Sequence, residues 1–340
     1  MNYYQWRAQI KSFNAPFSKD DALHRQWNRN TLENMSLFKK KNSIWNLEFK
    51  YYEKDEKAMV LVGSSPCLAK DVETLRELDD NFIIVCANSA LKFLIQNRIK
   101  PHYVVCVDAD EVDIPEHLNI EDSKDITLLA STVVCKKALD NWKGPIYFLP
   151  YYSVEKKIGM KVRKRLGKGV PSGGNSITSA FYTVSIIFGS RTVIFVGNEY
   201  CFDKVCDYYA DKNTAKQEKL KTIFSVIDVL GRERWTLPAH YYYAMWTQKV
   251  CTDLSSKGYF IDTSFGLLGK DCPAIHVMEL SQAIKRVKWS FTMKKEINDA
   301  KSKKARLKII DKIKGKDEPS QVYRYNVSEH QERLLQLARS

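Results

Sequence analysis

The stretch of this chain richest in chemical potential is Gly169-Val170-Pro171-Ser172-Gly173-Gly174-Asn175-Ser176-Ile177-Thr178-Ser179, which opens the apolar run Ala180–Phe188. Adjacent glycines flanked by hydroxyls at the start of a helix expose N–H groups at the positive end of its dipole, an arrangement that suits phosphate. Gly63-Ser64-Ser65 directly follows the run Met59–Val62. A glycine there lets the backbone turn and an anion approach, or simply makes a tight turn. It is neither G-x-G-x-x-G nor a P-loop, so a dehydrogenase or a Walker-type ATPase is unsupported. Asn88 ends the run Phe82–Ala87, where it can contact a base or ribose, or cap the next helix. Asp108 and Asp110 follow Tyr103–Val107. Two carboxylates so spaced can hold Mg²⁺ on a diphosphate, because a hard cation takes oxygen ligands, or they can form a solvated turn. Glu199 follows Thr192–Val196 and aims a carboxylate at the same region. His240 offers an imidazole that ordinarily titrates near neutrality, as a general base or as a surface group beside Tyr241–Tyr243.

These residues share one position: each acidic or polar group sits where an apolar run stops. The runs Ala58–Val62, Phe82–Ala87, Tyr103–Val107, Ile126–Ala130, Pro145–Phe148, Thr192–Val196 and Gly258–Asp262 have strand length. Between them the spacing predicts helices at Val72–Leu78, Ala90–Gln96, Cys135–Asn141, Ser176–Phe188, Thr214–Leu230 and Tyr241–Ser255. Strands alternating with amphipathic helices make βαβ units, so the fold class is α/β: a Rossmann-like, mainly parallel sheet with helices on both faces. Ligands of such sheets lie outside the carboxyl ends of the strands. Residues 1–56 read as a helical N-terminal cap, 57–284 as the Rossmann-like domain, and 285–340 as a basic helical tail with little apolar content.

Composition narrows the classes. Hydrophobic residues make up 44% and aromatics 12%, which excludes a wholly disordered chain. No apolar run approaches the roughly 20 residues of a membrane helix, and Met1–Arg7 has no basic-then-apolar leader pattern. The eight cysteines form no C-x-x-C pair, which suggests neither zinc nor a disulfide framework. The expected location is cytoplasmic. Of the net charge of +14, residues 285–316 carry +10, from 13 Lys/Arg against Glu296, Asp299 and Asp311. That segment is either a solvated helix or an attractor of polyanions such as DNA, an acidic glycan or an anionic membrane face.

The runs "VLVGSSPCL", "SGGNSITSAF" and "VIFVGNEYCF", with Cys86–Leu91 and Lys100–Asp108 between them, resemble the domain shared by the motility accessory factor glycosyltransferases and the MptE-like proteins. The layout is also similar to Campylobacter-type bacterial sialyltransferases. The resemblance covers about Ala58 to Ala210. It implies a glycosyltransferase using a nucleotide-sugar donor, with Gly63, Ser64, Ser65, Asn88, Ser172, Gly173, Gly174, Asn175 and Ser176 around the donor nucleotide. It also implies Glu199 at a usual acidic position and His240 near the sialyltransferase base. Cys201 stands where sialyltransferases carry a catalytic tyrosine, and Tyr208 or Tyr209 would supply a second. The MptE-like branch implies instead a diphosphokinase that moves pyrophosphate from ATP to a pterin alcohol, with Asp108 and Asp110 on the metal. A third reading is a non-catalytic module that keeps the nucleotide site.

Overall fold

Long apolar runs with no polar alternation demand burial on both faces, and the sheet supplies it. The computed structural model describes residues 21–48, 50–51, 57–151, 155–171, 173–203, 210, 223–256 and 258–300. Eight strands form one sheet: β1 (Ala58–Val62), β2 (Phe82–Ala87), β3 (Tyr103–Cys106), β4 (Thr127–Ser131), β5 (Ile146–Leu149), β6 (Thr192–Val196), β9 (Tyr259–Asp262) and β10 (Ile275–Val277). Their order is β10-β9-β6-β1-β2-β3-β4-β5, and every neighbouring pair is parallel. The central strand β1 lies in register with both neighbours, Met59 opposite Ile83 and Val193. Its alternate side chains divide between two cores: Ala58, Val60 and Val62 on one face, Met59 and Leu61 on the other.

Helices α1 (Asp21–Glu33), α2 (Val72–Arg76), α3 (Asn88–Gln96), α4 (Asp113–His117), α5 (Lys136–Asn141), α6 (Lys156–Leu166), α7 (Ser176–Tyr182), α8 (Pro238–Leu254) and α9 (Leu280–Asp299) cover the sheet. A π-helical turn, Thr183–Ile187, continues α7. The seven expected strands are all present, each within a residue or so of its anticipated bounds.

The described part of the N-terminal segment is built into this body. Asn30 on α1 and Asn34, in the 3₁₀ turn that follows it, are fully buried. Asn30 Nδ2 donates to Ala109 O (3.1 Å) and Val133 O (2.9 Å), and Asn34 Nδ2 donates to Thr132 O (3.3 Å) and Val134 O (2.7 Å). These carbonyls lie in the loops beyond β3 and β4, where a buried acceptor needs a donor. Gln26 Nε2 also donates to Ala109 O (3.0 Å), and Arg29 pairs with Glu111. Thus α1 fixes the loop that carries Asp108 and Asp110.

Two expectations need correction. The segment read as a helix over Thr214–Leu230 contains β7 (Phe224–Ile227), antiparallel to β8 (Glu233–Thr236); residues 214–222 lie outside the described ones. Phe-Ser-Val-Ile is good strand material. The turn is set by Asp228, whose Oδ1 accepts the N–H groups of Leu230 and Arg232 at 2.9 Å, with Gly231 at φ 77°. The basic segment likewise does not begin as a free appendage. Helix α9 runs through the expected boundary at 284/285 and buries Ile284, Val287, Phe291, Met293 and Ile297. Residues 301–340 lie outside the described ones.

Truncating Asn30 to alanine should lower unfolding free energy by about 1–3 kcal/mol, because the Val133 carbonyl loses its donor and Ala109 O keeps only Gln26. Chemical denaturation checks this; an unchanged midpoint would mean water replaces the amide.

Candidate functional site

From β1 the chain steps outward through β2 to β5, and from β6 it steps the other way to β9 and β10. The switch between the two directions, where ligands of such sheets collect, therefore lies between the carboxyl ends of β1 and β6. This point is closed. Gly63 N–H donates to Val196 O (2.8 Å) and Ser65 N–H to Gly197 O (3.0 Å). Asn198 fills the gap, its Nδ2 donating to Leu61 O and Val196 O at 2.9 Å and its N–H donating to Ser264 Oγ at 2.8 Å. A Cβ on Gly63 would stand 2.3 Å from Asn198 Oδ1 and 2.4 Å from Gly197 O. The glycine is thus required by the joint of the two strands, not by an approaching phosphate. The expected site residues fall on either side of this plug.

On the β2 side a polar network joins three strand or helix ends. Ser89 Oγ donates to Ser64 Oγ (2.9 Å), and Ser176 Oγ donates to Asn88 Oδ1 (2.8 Å). Asn88 Nδ2 lies 3.0 Å from His117 Nδ1. An amide nitrogen only donates, so this His117 nitrogen accepts and the ring proton sits on Nε2. Burial pushes the His117 pKa down, which keeps the ring neutral. Asn175 caps α7: its Oδ1 accepts Thr178 N–H (2.8 Å) while Thr178 Oγ1 accepts Asn175 N–H (3.1 Å). Gly173 and Gly174 take φ of 60° and 116°. A Cβ on Gly173 would meet Thr178 and Trp246, and one on Gly174 would meet Tyr243 at 2.3 Å. These glycines therefore let α8 pack closely over the loop. Ser172 lies outside the described residues, as do Tyr208 and Tyr209.

Asp108 is exposed, and its Oδ1 accepts Asp110 N–H at 3.2 Å. Asp110 Oδ1 accepts Val112 N–H (2.7 Å) and Asp113 N–H (2.5 Å) and so starts α4. Among the described residues no group of three or more His, Cys, Asp and Glu could hold a metal. Two carboxylates fit a cation that takes its remaining oxygens from phosphate and water, and do not make a cage by themselves. Asp108 is near enough to act on Tyr243, whose hydroxyl pKa is pushed up to about 12, first by burial and then by that negative charge. The His240 ring lies 6.3 Å from the Tyr243 ring. Desolvation pushes its pKa down to about 4, so at neutral pH it holds no extra proton.

On the other side of the plug stands Glu199, buried and paired. Its Oε1 accepts Arg234 Nη2 (3.0 Å) and its Oε2 accepts Cys67 N–H (3.3 Å). Arg234 also faces Asp203 (3.0 Å) and Asp228 (3.6 Å). Asp108 is not among the residues that line the cleft beside Glu199. Glu199 lines a cleft of about 640 Å³ with Cys67, Lys70, Phe202, Arg232 and Phe265 among its walls. Beneath it Asp262, fully buried, has its pKa raised to about 7 by burial.

The match to known proteins follows this geometry. Residues 29–205, a little over half of the chain, match the family described as 6-hydroxymethylpterin diphosphokinase MptE-like. The chain belongs to the MptE-like family. No curated protein matches the sequence. Among solved structures, this MptE-like chain is similar in fold to the MAf glycosyltransferase from Magnetospirillum magneticum AMB-1, with a TM-score of 0.53 and 13% identity. The similarity covers 93% of this chain and 50% of that one, so the MptE-like chain spans about half that protein's length.

The MptE-like chain thus brings Ser64, Asn88 and Ser176 together, sets Asp108, Gly174 and His240 around Tyr243, and removes Ser65 and Glu199 to the far side. Sequence reasoning missed His117, Ser89 and Tyr243. Ser89 and Tyr243 adjoin residues already singled out; His117 carries no motif signal and enters through the short helix α4. Replacing Arg234 with leucine would strand the buried Glu199 carboxylate and should cost about 3–5 kcal/mol, with partial recovery in Arg234→Leu/Glu199→Leu. Thermal melts of the single and double variants check this; equal loss in both would contradict the pairing.

Proposed function

We propose that the chain is a glycosyltransferase that moves a sugar from a nucleotide-sugar donor to a macromolecular acceptor. The carrying observation is the network Ser64–Ser89 and Ser176–Asn88–His117, which presents hydroxyl and amide groups from three element ends at one rim of the sheet. Such groups hold a nucleotide by its base, ribose and phosphates. Transfer breaks the bond between the anomeric carbon and the phosphate oxygen, forms a bond to the acceptor oxygen, and passes the acceptor proton to a base. Neutral His240, near Tyr243, would take that proton. The N–H groups at the start of α7 would stabilise the departing phosphate. If Mg²⁺ takes part, Asp108 and Asp110 would hold it and it would supply charge neutralisation at the diphosphate. Glu199, bound to Arg234, serves the framework.

The acceptor could be modified DNA, a protein or a surface glycan, and the basic segment 285–316 favours one that is polyanionic. No helix among the described residues is long and apolar enough to cross a membrane, in keeping with work in the cytoplasm. The second reading, pyrophosphate transfer from ATP to a pterin alcohol, is favoured by the family description. It would need the same nucleotide-holding groups and a metal on Asp108 and Asp110.

Asn88→Ala and Ser176→Ala should each weaken nucleotide binding roughly tenfold, the worth of one or two hydrogen bonds to a bound polar ligand. Calorimetric titration of folded variants decides this. Unchanged affinity would place the donor elsewhere.

A further inference from the structure

A second concentration of charge lies in the folded body, at the β5 edge of the sheet. Residues 37–48 and 155–168 contain ten Lys/Arg and only two acids, Glu48 and Glu155. The two stretches meet in space. The turn Lys40–Asn42 packs against α6 and β5. Ser43 Oγ donates to Leu166 O (2.5 Å), Arg165 donates to Met35 O, and Trp45 Nε1 donates to Lys168 O (2.7 Å). The Lys168 ammonium lies 4.2 Å above the Trp45 ring.

Helix α6 presents its cations rigidly. Ile158, Val162 and Leu166 are buried and lock the helix down. Lys156, Lys157, Lys161, Arg163 and Lys164 are exposed, and none of them has an ion-pair partner among the described residues. Five exposed cations with no ion-pair partner among the described residues repel one another on this 11-residue helix, so the face gains most from a ligand of high negative charge density.

We infer that this face, α6 with the Lys39–Lys41 turn, is a docking surface for duplex nucleic acid. The helix is about 16 Å long at 1.5 Å per residue, and a duplex presents about ten charges over that distance, one per ~1.7 Å. Helix α6 carries six cations over that length, and the Lys39–Lys41 turn packed against it adds three. A bilayer is the poorer fit: interfacial helices bury an apolar face in the lipid, and the apolar face of α6 is spent on the core, leaving Met160 exposed. The chain returns from α6 to the sheet before the glycine loop. Val170 N–H returns to Pro150 O (3.0 Å) just past β5, and Gly173 follows three residues on. The inference does not rest on glycosyl transfer, because binding is read without a donor.

The test is fluorescence anisotropy with a labelled duplex of about 20 base pairs and the full chain, between about 50 and 200 mM salt. Lys157→Glu/Lys161→Glu/Lys164→Glu should weaken binding tenfold or more and flatten the log–log salt slope by about 3, near 0.9 per lost contact. The matching Lys→Gln triple should give a smaller loss of the same sign. It also guards against misfolding, because these side chains are exposed. Lys285→Glu/Lys295→Glu on α9, in the other basic segment, should weaken binding less than the α6 triple does. The inference is overturned if the α6 variants bind with unchanged slope, if the α9 pair alone abolishes binding, or if the chain binds phosphatidylserine vesicles and no duplex.

Discussion

The joint between β1 and β6 governs the layout of this molecule. Parallel strands whose connections run in opposite directions splay apart at their carboxyl ends, and here one side chain closes the gap. The Asn198 amide satisfies two strand carbonyls, its N–H reaches Ser264, and Gly63 leaves it room. The expected ligand crevice therefore does not lie at the strand switch itself. Functional groups are pushed to either side, and the two sides acquire different characters.

On one side hydroxyls, amides and neutral imidazoles are linked in short hydrogen bonds, with single carboxylates at the rim. Such a surface offers directional contacts without a fixed net charge, which suits a nucleotide whose phosphates arrive negatively charged. On the other side a buried arginine faces three carboxylates. Charges so deeply paired are costly to separate, so this side holds the β7–β8 hairpin against the sheet. Helix α1 and the turn after it complete the arrangement, since Asn30 and Asn34 fix the loops after β3 and β4 and thereby set Asp108 at the rim.

The sheet was legible in the sequence because strands buried on both faces must be apolar throughout, and Met59–Val62, Phe82–Ala87 and Thr192–Val196 are. Ser64, Asn88 and Ser176 were legible because they stand where such runs end. The pairing of Glu199 was not, because it depends on Arg234, 35 residues on and carried by a hairpin whose first strand was read as helix. Nor was the packing role of Gly173 and Gly174. A positive φ looks the same in sequence whether it admits a phosphate or the ring of Tyr243. The counting of charge along the chain located the basic segment that starts at Lys285 and passed over α6, whose cations join Lys39–Lys41 only in three dimensions.

The central claim is that the polar network at the ends of β1, β2 and α7 holds a sugar nucleotide for glycosyl transfer. The most direct measurement is incubation of the purified chain with radiolabelled UDP-, GDP- and CMP-sugars and with ATP, scored for nucleotide release by chromatography. The account predicts release of nucleotide from at least one sugar nucleotide and no conversion of ATP to AMP. Formation of AMP with a pterin alcohol, with every sugar nucleotide left intact, would contradict it.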